Sequence, residues 1–112
     1  MKMKFLLGLT LAATTAAAGT GTGTVTGFIP GNVASGTAVF VFQTSSNSPL
    51  ASCNQTQRFA IASTNPQYNS TVAAVIAAFA SGASVTAIGL GTCNVVGNAE
   101  DLNYVCVGTL PC

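Results

Sequence analysis

The stretch GTAVFVFQT, Gly36 to Thr44, places Val39 and Val41 in one alternating set and Phe40 and Phe42 in the other. Successive side chains of a β-strand point to opposite faces, so this segment offers an apolar row to each side. Such a strand must be covered above and below.

The neighbouring segments suggest what the cover is made of. Gly19 to Gly27 reads GTGTGTVTG, with Thr22, Thr24 and Thr26 alternating against Gly21, Gly23, Val25 and Gly27. That period of two suits a strand with one thin face. We expect residues 19–24 to be a flexible start and the first strand to begin near Val25, followed by a loop, PGNVAS. After the second strand a polar loop, SSNSPLASCNQTQ, leads to RFAIAS, where Phe59 and Ile61 share a face and a short third strand is expected. Next, Tyr68, Val72, Val75, Ile76 and Phe79 recur on one face of a 3.6-residue helix. Asn65 suits its cap, Pro66 its first turn and Gly82 its end. The opposite face carries Ala73, Ala74, Ala77, Ala78 and Ala80. ASVTAIGLG and DLNYVCVGT then read as a fourth and a fifth strand, separated by the turn-rich TCNVVGNAE.

The amino terminus, MKMKFLLGLTLAATTAAAG, has Lys2 and Lys4, an apolar run from Phe5 to Ala13, and small residues ending in Ala16-Ala17-Ala18. This is the pattern of a secretory signal peptide, and the run falls short of the roughly 20 apolar residues that span a bilayer. Residues 1–18 therefore read as a signal peptide cleaved after Ala18. Residues 19–112 read as a single domain, secreted or periplasmic, with no stable membrane insertion. In those 94 residues Arg58 stands against Glu100 and Asp101, a net charge of −1. A phosphate-binding surface needs several Lys or Arg, which sets nucleic acid aside as a partner.

A domain of this size often needs covalent staples, and four cysteines are available. Cys53, Cys93, Cys106 and Cys112 admit three pairings. Cys53 and Cys93 flank the helical segment, and Cys106 and Cys112 are six apart with Pro111 bending the tail, so we expect these two pairs. With no His and no CxxC the cysteines do not read as a metal site, and no cofactor is expected.

Three strands, a helix and two strands is the element order of the OB-fold, a five-stranded, partly open barrel. The expected class is mainly β with one helix between strands 3 and 4. SCNQTQRFAIAS, the helix, and SGASVTAIGLGTCNVVGNAEDLNYV together resemble a widespread group of small exported bacterial proteins. In that group a Cys precedes the third strand and a Cys-acidic-Val-aromatic-Gly turn follows the fourth. The group is in turn similar to the B subunit of subtilase cytotoxin and other pertussis-like toxin subunits. The resemblance spans Thr37 to Val107, with Asn94 where an acid is common and Val96 where an aromatic is common. It implies glycan binding and a ring of subunits whose helices gather at the axis. No sugar-contacting residue of the toxin subunits matches a position here, so none is carried over.

Catalysis finds little support. Without His a Ser or Cys nucleophile lacks its usual base, and Glu100 and Asp101, adjacent on a strand, point apart. They are expected to solvate a turn and begin the fifth strand. Arg58 either pairs with one of them across the barrel or grips a ligand carboxylate such as that of a sialic acid. OB-folds bind oligosaccharides on the face around strands 2 and 3. The candidate glycan contacts are Asn32, Ser35, Gln43, Asn47, Asn54, Gln57 and Arg58, with Tyr104 as the spare ring. The competing expectation is a self-assembling or accessory exported protein with no small ligand, meeting its copies through Ala73, Ala77 and Ala80.

Overall fold

The computed structural model describes residues 17–112, so the signal-peptide expectation lies almost wholly outside the described residues. The elements are β1 Thr20–Ala34, β2 Thr37–Asn47, β3 Arg58–Ala62, α1 Tyr68–Ser81, β4 Ser84–Gly89 and β5 Glu100–Val107. They close into an OB-fold-like barrel in the order β1-β2-β3-β5-β4, with β1 bonded to both β2 and β4. All neighbours are antiparallel except β3 and β5, whose parallel contact is limited to Phe59 with Glu100 and Ala60 with Asp101.

The first strand differs from expectation at both ends. Residues 20–24 pair with β4, Thr20 opposite Ile88 through Thr24 opposite Ser84, and are no flexible tail. Their glycines are required by the close approach of neighbouring elements. A Cβ at Gly21 would lie 2.7 Å from the Phe59 ring, and one at Gly19 would overlap the Glu100 carboxylate. At the far end PGNVAS is strand, not loop, up to Ala34 opposite Thr37. Pro30 and Gly31 occupy a register shift between Ile29 and Asn32, where proline's missing N–H leaves no ladder bond unmade. Ser35 and Gly36, both at positive φ, make the two-residue turn, the backbone that suits a tight hairpin.

The two faces of β2 enter separate cores. Phe40 and Phe42 join Val25, Phe59, Ile61, Val85, Ala87 and Leu102 inside the barrel, with Val75 and Ala78 of α1 closing it. Val39 and Val41 join Ala60 and Ala99 on the outside, under Val95 and Val96 of the segment 90–99 between β4 and β5. The second cover of the two-faced strand is thus a loop.

The helix is rotated from the expected face. Thr71, Val75 and Ala78 are its buried residues, flanked by half-buried Tyr68 and Val72, whereas Ile76 and Phe79 are 38% and 48% exposed. Ala78 therefore belongs to the inner face, and its small side chain, like that of Thr71, lets the helix sit close over the barrel mouth. Phe79 meets Phe28 edge-on at 5.3 Å on the rim, and Phe28 stacks on Phe40. Asn65 does not cap α1. Its side chain accepts the Gln67 N–H at 2.9 Å in the turn before the helix, and Gln67 holds the cap position without a side-chain bond. Gly82 ends the helix in the left-handed conformation, as expected.

Both expected disulfides form, Cys53 with Cys93 and Cys106 with Cys112. The first links the β2–β3 loop to segment 90–99, and the Asn98 carbonyl strengthens the link by accepting the Gln55 N–H and the Thr56 hydroxyl. Two disulfides point to an oxidising environment. Among the described residues no helix is long and apolar enough to cross a membrane.

Candidate functional site

Strand register lays out the outer face of β1, β2 and β3 in rungs. Ile29, Val41 and Ala60 face one another across the three strands, and the next rung holds Gly27, Gln43 and Arg58. Segment 90–99 covers the sheet as far as Val39, Val41 and Ala60 and stops short of the second rung. There a groove of about 180 Å³ remains, lined by Gly27, Phe28, Ile29, Val41, Phe42, Gln43 and Arg58. Its floor is aliphatic, from Ile29 and Val41, and its polar edge is Gln43 with the exposed Arg58. A Cβ at Gly27 would meet no atom within 4 Å, so the glycine leaves the groove open.

Segment 90–99 is held in place by Asp101. Its carboxylate accepts the Thr92 hydroxyl at 2.6 Å and the backbone N–H groups of Asn94 and Val95 at 2.9 and 2.8 Å. Glu100, one residue earlier, points the other way and accepts N–H groups from Gly19 at 2.8 Å, Gly91 at 3.1 Å and Ala51 at 3.3 Å. Glu100 is fully buried and Asp101 is 5% exposed. Neither solvates a turn, contrary to expectation. A buried carboxylate costs several kcal/mol unless donors replace its water, and here backbone amides do so. The strand alternation that separates the two acids was legible in the sequence. The glycines that clear space around Glu100 were also visible, but Gly19 sat in a low-complexity stretch and Gly89 in the expected fourth strand.

With both carboxylates enclosed among other donors, the expected pairing of Arg58 with Glu100 or Asp101 does not occur. Arg58 is the only basic residue among the described ones, and its side chain lies at the surface.

The other expected contacts scatter. Gln57 is exposed next to Arg58, at positive φ. Asn54 is buried: its Oδ1 accepts the Arg58 N–H at 3.2 Å, which removes it from any surface and makes it a support for Arg58. Asn47 accepts the Thr44 hydroxyl at 3.0 Å. Asn32 and Ser35 are exposed at the β1–β2 hairpin tip, Ser35 lining a separate hollow of about 250 Å³ with Asn94 and Thr64. Tyr104 is 40% exposed on β5 opposite Ile88 of β4, on another side of the ring. A third hollow, about 330 Å³, opens where β3 and β5 diverge, between Ala62, Pro66, Leu90 and Leu102. Of the expected set, only Gln43 and Arg58 line one groove, with Gln57 beside them.

Ala73, Ala77 and Ala80 are exposed as expected, and Ile76 and Phe79 enlarge that surface. No family model matches this sequence, and no curated protein or solved structure matches it.

Proposed function

We propose that this chain is an exported, non-catalytic binding module that holds a carboxylate-bearing glycan in the β1–β2–β3 groove, in the manner of the toxin B subunits whose order of elements it shares. The observation that carries this reading is Arg58. It is the only basic side chain among the described residues, it stands exposed at a partly apolar groove, and both acids of the domain are occupied elsewhere. An Arg fork suits a carboxylate bidentately, Gln43 supplies a neutral donor and acceptor for hydroxyls, and Ile29 with Val41 offers an apolar floor. At about 180 Å³ the groove is smaller than the roughly 300–1,000 Å³ of drug-sized sites, which favours one terminal sugar over an extended chain.

The test is a glycan array with the purified exported protein. Binding to acidic glycans, competed by the free acidic sugar and weakened at least about tenfold by Arg58→Ala, is expected, since a charged hydrogen bond contributes about 1.5–3 kcal/mol. Arrays silent for acidic glycans, or binding indifferent to Arg58→Ala, would overturn the reading.

A second reading has its own observation. The outward side of α1 exposes Phe79 and Ile76 among Ala73, Ala77 and Ala80, and small residues around a large one favour close contact between copies. On this reading the protein is a self-assembling or accessory structural protein with no small ligand. A glycan array silent for every sugar, together with an oligomer dispersed by Ala77→Glu in sedimentation, supports assembly through the helix without a ligand, and a monomer at micromolar concentration sinks it.

A further inference from the structure

Glu100 is fully buried, and the only basic residue among the described ones, Arg58, is at the surface on another strand. The carboxylate is held by three backbone N–H groups, and the shortest of these bonds, 2.8 Å, comes from the nitrogen of Gly19. Gly19 is itself buried, whereas Ala17 and Ala18 just before it are exposed. Its carbonyl accepts the Gly89 N–H at 3.0 Å, and the next residue, Thr20, donates its N–H to the Pro49 carbonyl at 3.0 Å. Gly19 is thus fixed as the first residue of the barrel seam. Only glycine fits, because a Cβ would overlap Glu100 Oε1. The residues before it, Ala16-Ala17-Ala18, have the small-residue pattern at which secretory signal peptides are cut.

We propose that cleavage between Ala18 and Gly19 creates the missing counter-charge: the new α-ammonium of Gly19 forms a buried ion pair with Glu100. The inference rests on the export reading and goes beyond the glycan site. In the step, a signal-cleaving peptidase of the export machinery adds water across the Ala18–Gly19 peptide bond. The C–N bond breaks, Ala18 leaves with a carboxylate, and the Gly19 nitrogen takes a proton and becomes the amine. A free α-amino group titrates near about 7.7–8.0, so it is cationic at neutral pH, with its nitrogen already at hydrogen-bond distance from Oε2. Processing thereby completes the fold by exchanging an amide donor for a charged one.

The sign of the pH dependence follows. Pairing with a carboxylate raises the folded-state pKa of the amine. Its stabilisation is therefore complete below about 7.7 and lost as pH rises through the higher folded value. The groups facing it are Glu100 from β5 and the backbone of Gly89, Gly91, Pro49 and Ala51 from the adjoining elements. Asp101 faces segment 90–99 and Arg58 faces solvent.

A direct assay is available because residues 19–112 contain no Lys. In the exported protein an amine-directed acylating reagent can modify only the terminal amine. The full-length gene is expressed in an exporting bacterium, and the product is read by intact mass and then acylated under native conditions. The expected result is a chain beginning at Gly19 whose native acylation is at least about tenfold slower than when unfolded, since each unit by which pairing raises the pKa removes tenfold of the free amine. Glu100→Gln is expected to restore fast acylation. Should that variant misfold, insertion of two residues between Ala18 and Gly19 keeps Glu100 intact and moves the amine into solvent. That variant is expected to acylate at the unfolded rate and to melt lower than the parent at pH 6 but not at pH 10. A mature terminus other than Gly19 overturns the Ala18–Gly19 cleavage and the ion pair with it. A Gly19 terminus that acylates equally fast folded and unfolded overturns the ion pair alone.

Discussion

The inner and outer faces of β2 are equally apolar in sequence but are covered by different means. Inside, Phe40 and Phe42 are enclosed by all five strands and α1. Outside, Val39 and Val41 are roofed by segment 90–99, held by one disulfide, the Asn98 carbonyl and the carboxylate of Asp101. The inner cover is general hydrophobic burial, spread over many residues. The outer cover depends on a few localised ties, and where they stop the groove at Gln43 and Arg58 begins. A barrel can therefore leave a groove open on the same strands it seals a few residues away.

This contrast is broken most severely from within. Phe40→Ala is expected to cost about 3–5 kcal/mol, read as a large loss of urea-unfolding stability, whereas Val41→Ala on the outer face, losing two methyl groups at about 0.8 kcal/mol each, costs about 2 kcal/mol. Equal losses would mean that the roof packs as tightly as the barrel interior.

Opening the roof tie comes next. The Cys53→Ser, Cys93→Ser pair releases a bridge of sequence separation 40, worth roughly 4 kcal/mol by loop-closure entropy. Hydrogen exchange should rise first at Asn94 and Val95, whose N–H groups Asp101 holds, with the amides of β2 and β3 lagging. Simultaneous loss across the barrel would show that roof and barrel unfold as one unit.

The smallest effect on stability is expected in the open groove. Gly27→Leu places a side chain where nothing lies within 4 Å and should change stability by no more than about 0.5 kcal/mol while abolishing acidic-glycan binding. Retained binding would locate the ligand elsewhere on the surface.

The sequence carried much of this fold. The two-faced strand, the parity of Phe59 with Ile61, the helix between strands 3 and 4 and the Gly82 stop follow from local periodicity and spacing, which act over a few residues, whereas the expected Cys53–Cys93 pairing, 40 residues apart, depended on the helix folding back between its ends. For the site, Arg58 and Gln43 could be named one by one, but their meeting with Gly27 in one rung depends on a register set by the bulges of β1. The same limit applies to Asn54, whose polar side chain reads as surface until the β2–β3 loop folds it beneath Arg58.

By itself the sequence determined the order of elements and the scarcity of charge, because both are properties of neighbours along the chain. Only tertiary structure decided which helix face turns inward, since Phe79 sits at the rim against Phe28 while Thr71 and Ala78 permit the close approach. Tertiary structure also decided that the two acids, adjacent in the chain, serve different long-range contacts: Glu100 gathers amides from 81, 49 and 9 residues away, and Asp101 fastens the roof. A carboxylate's burial depends on donors that reach it only when distant segments close the barrel, and no local pattern records that closure.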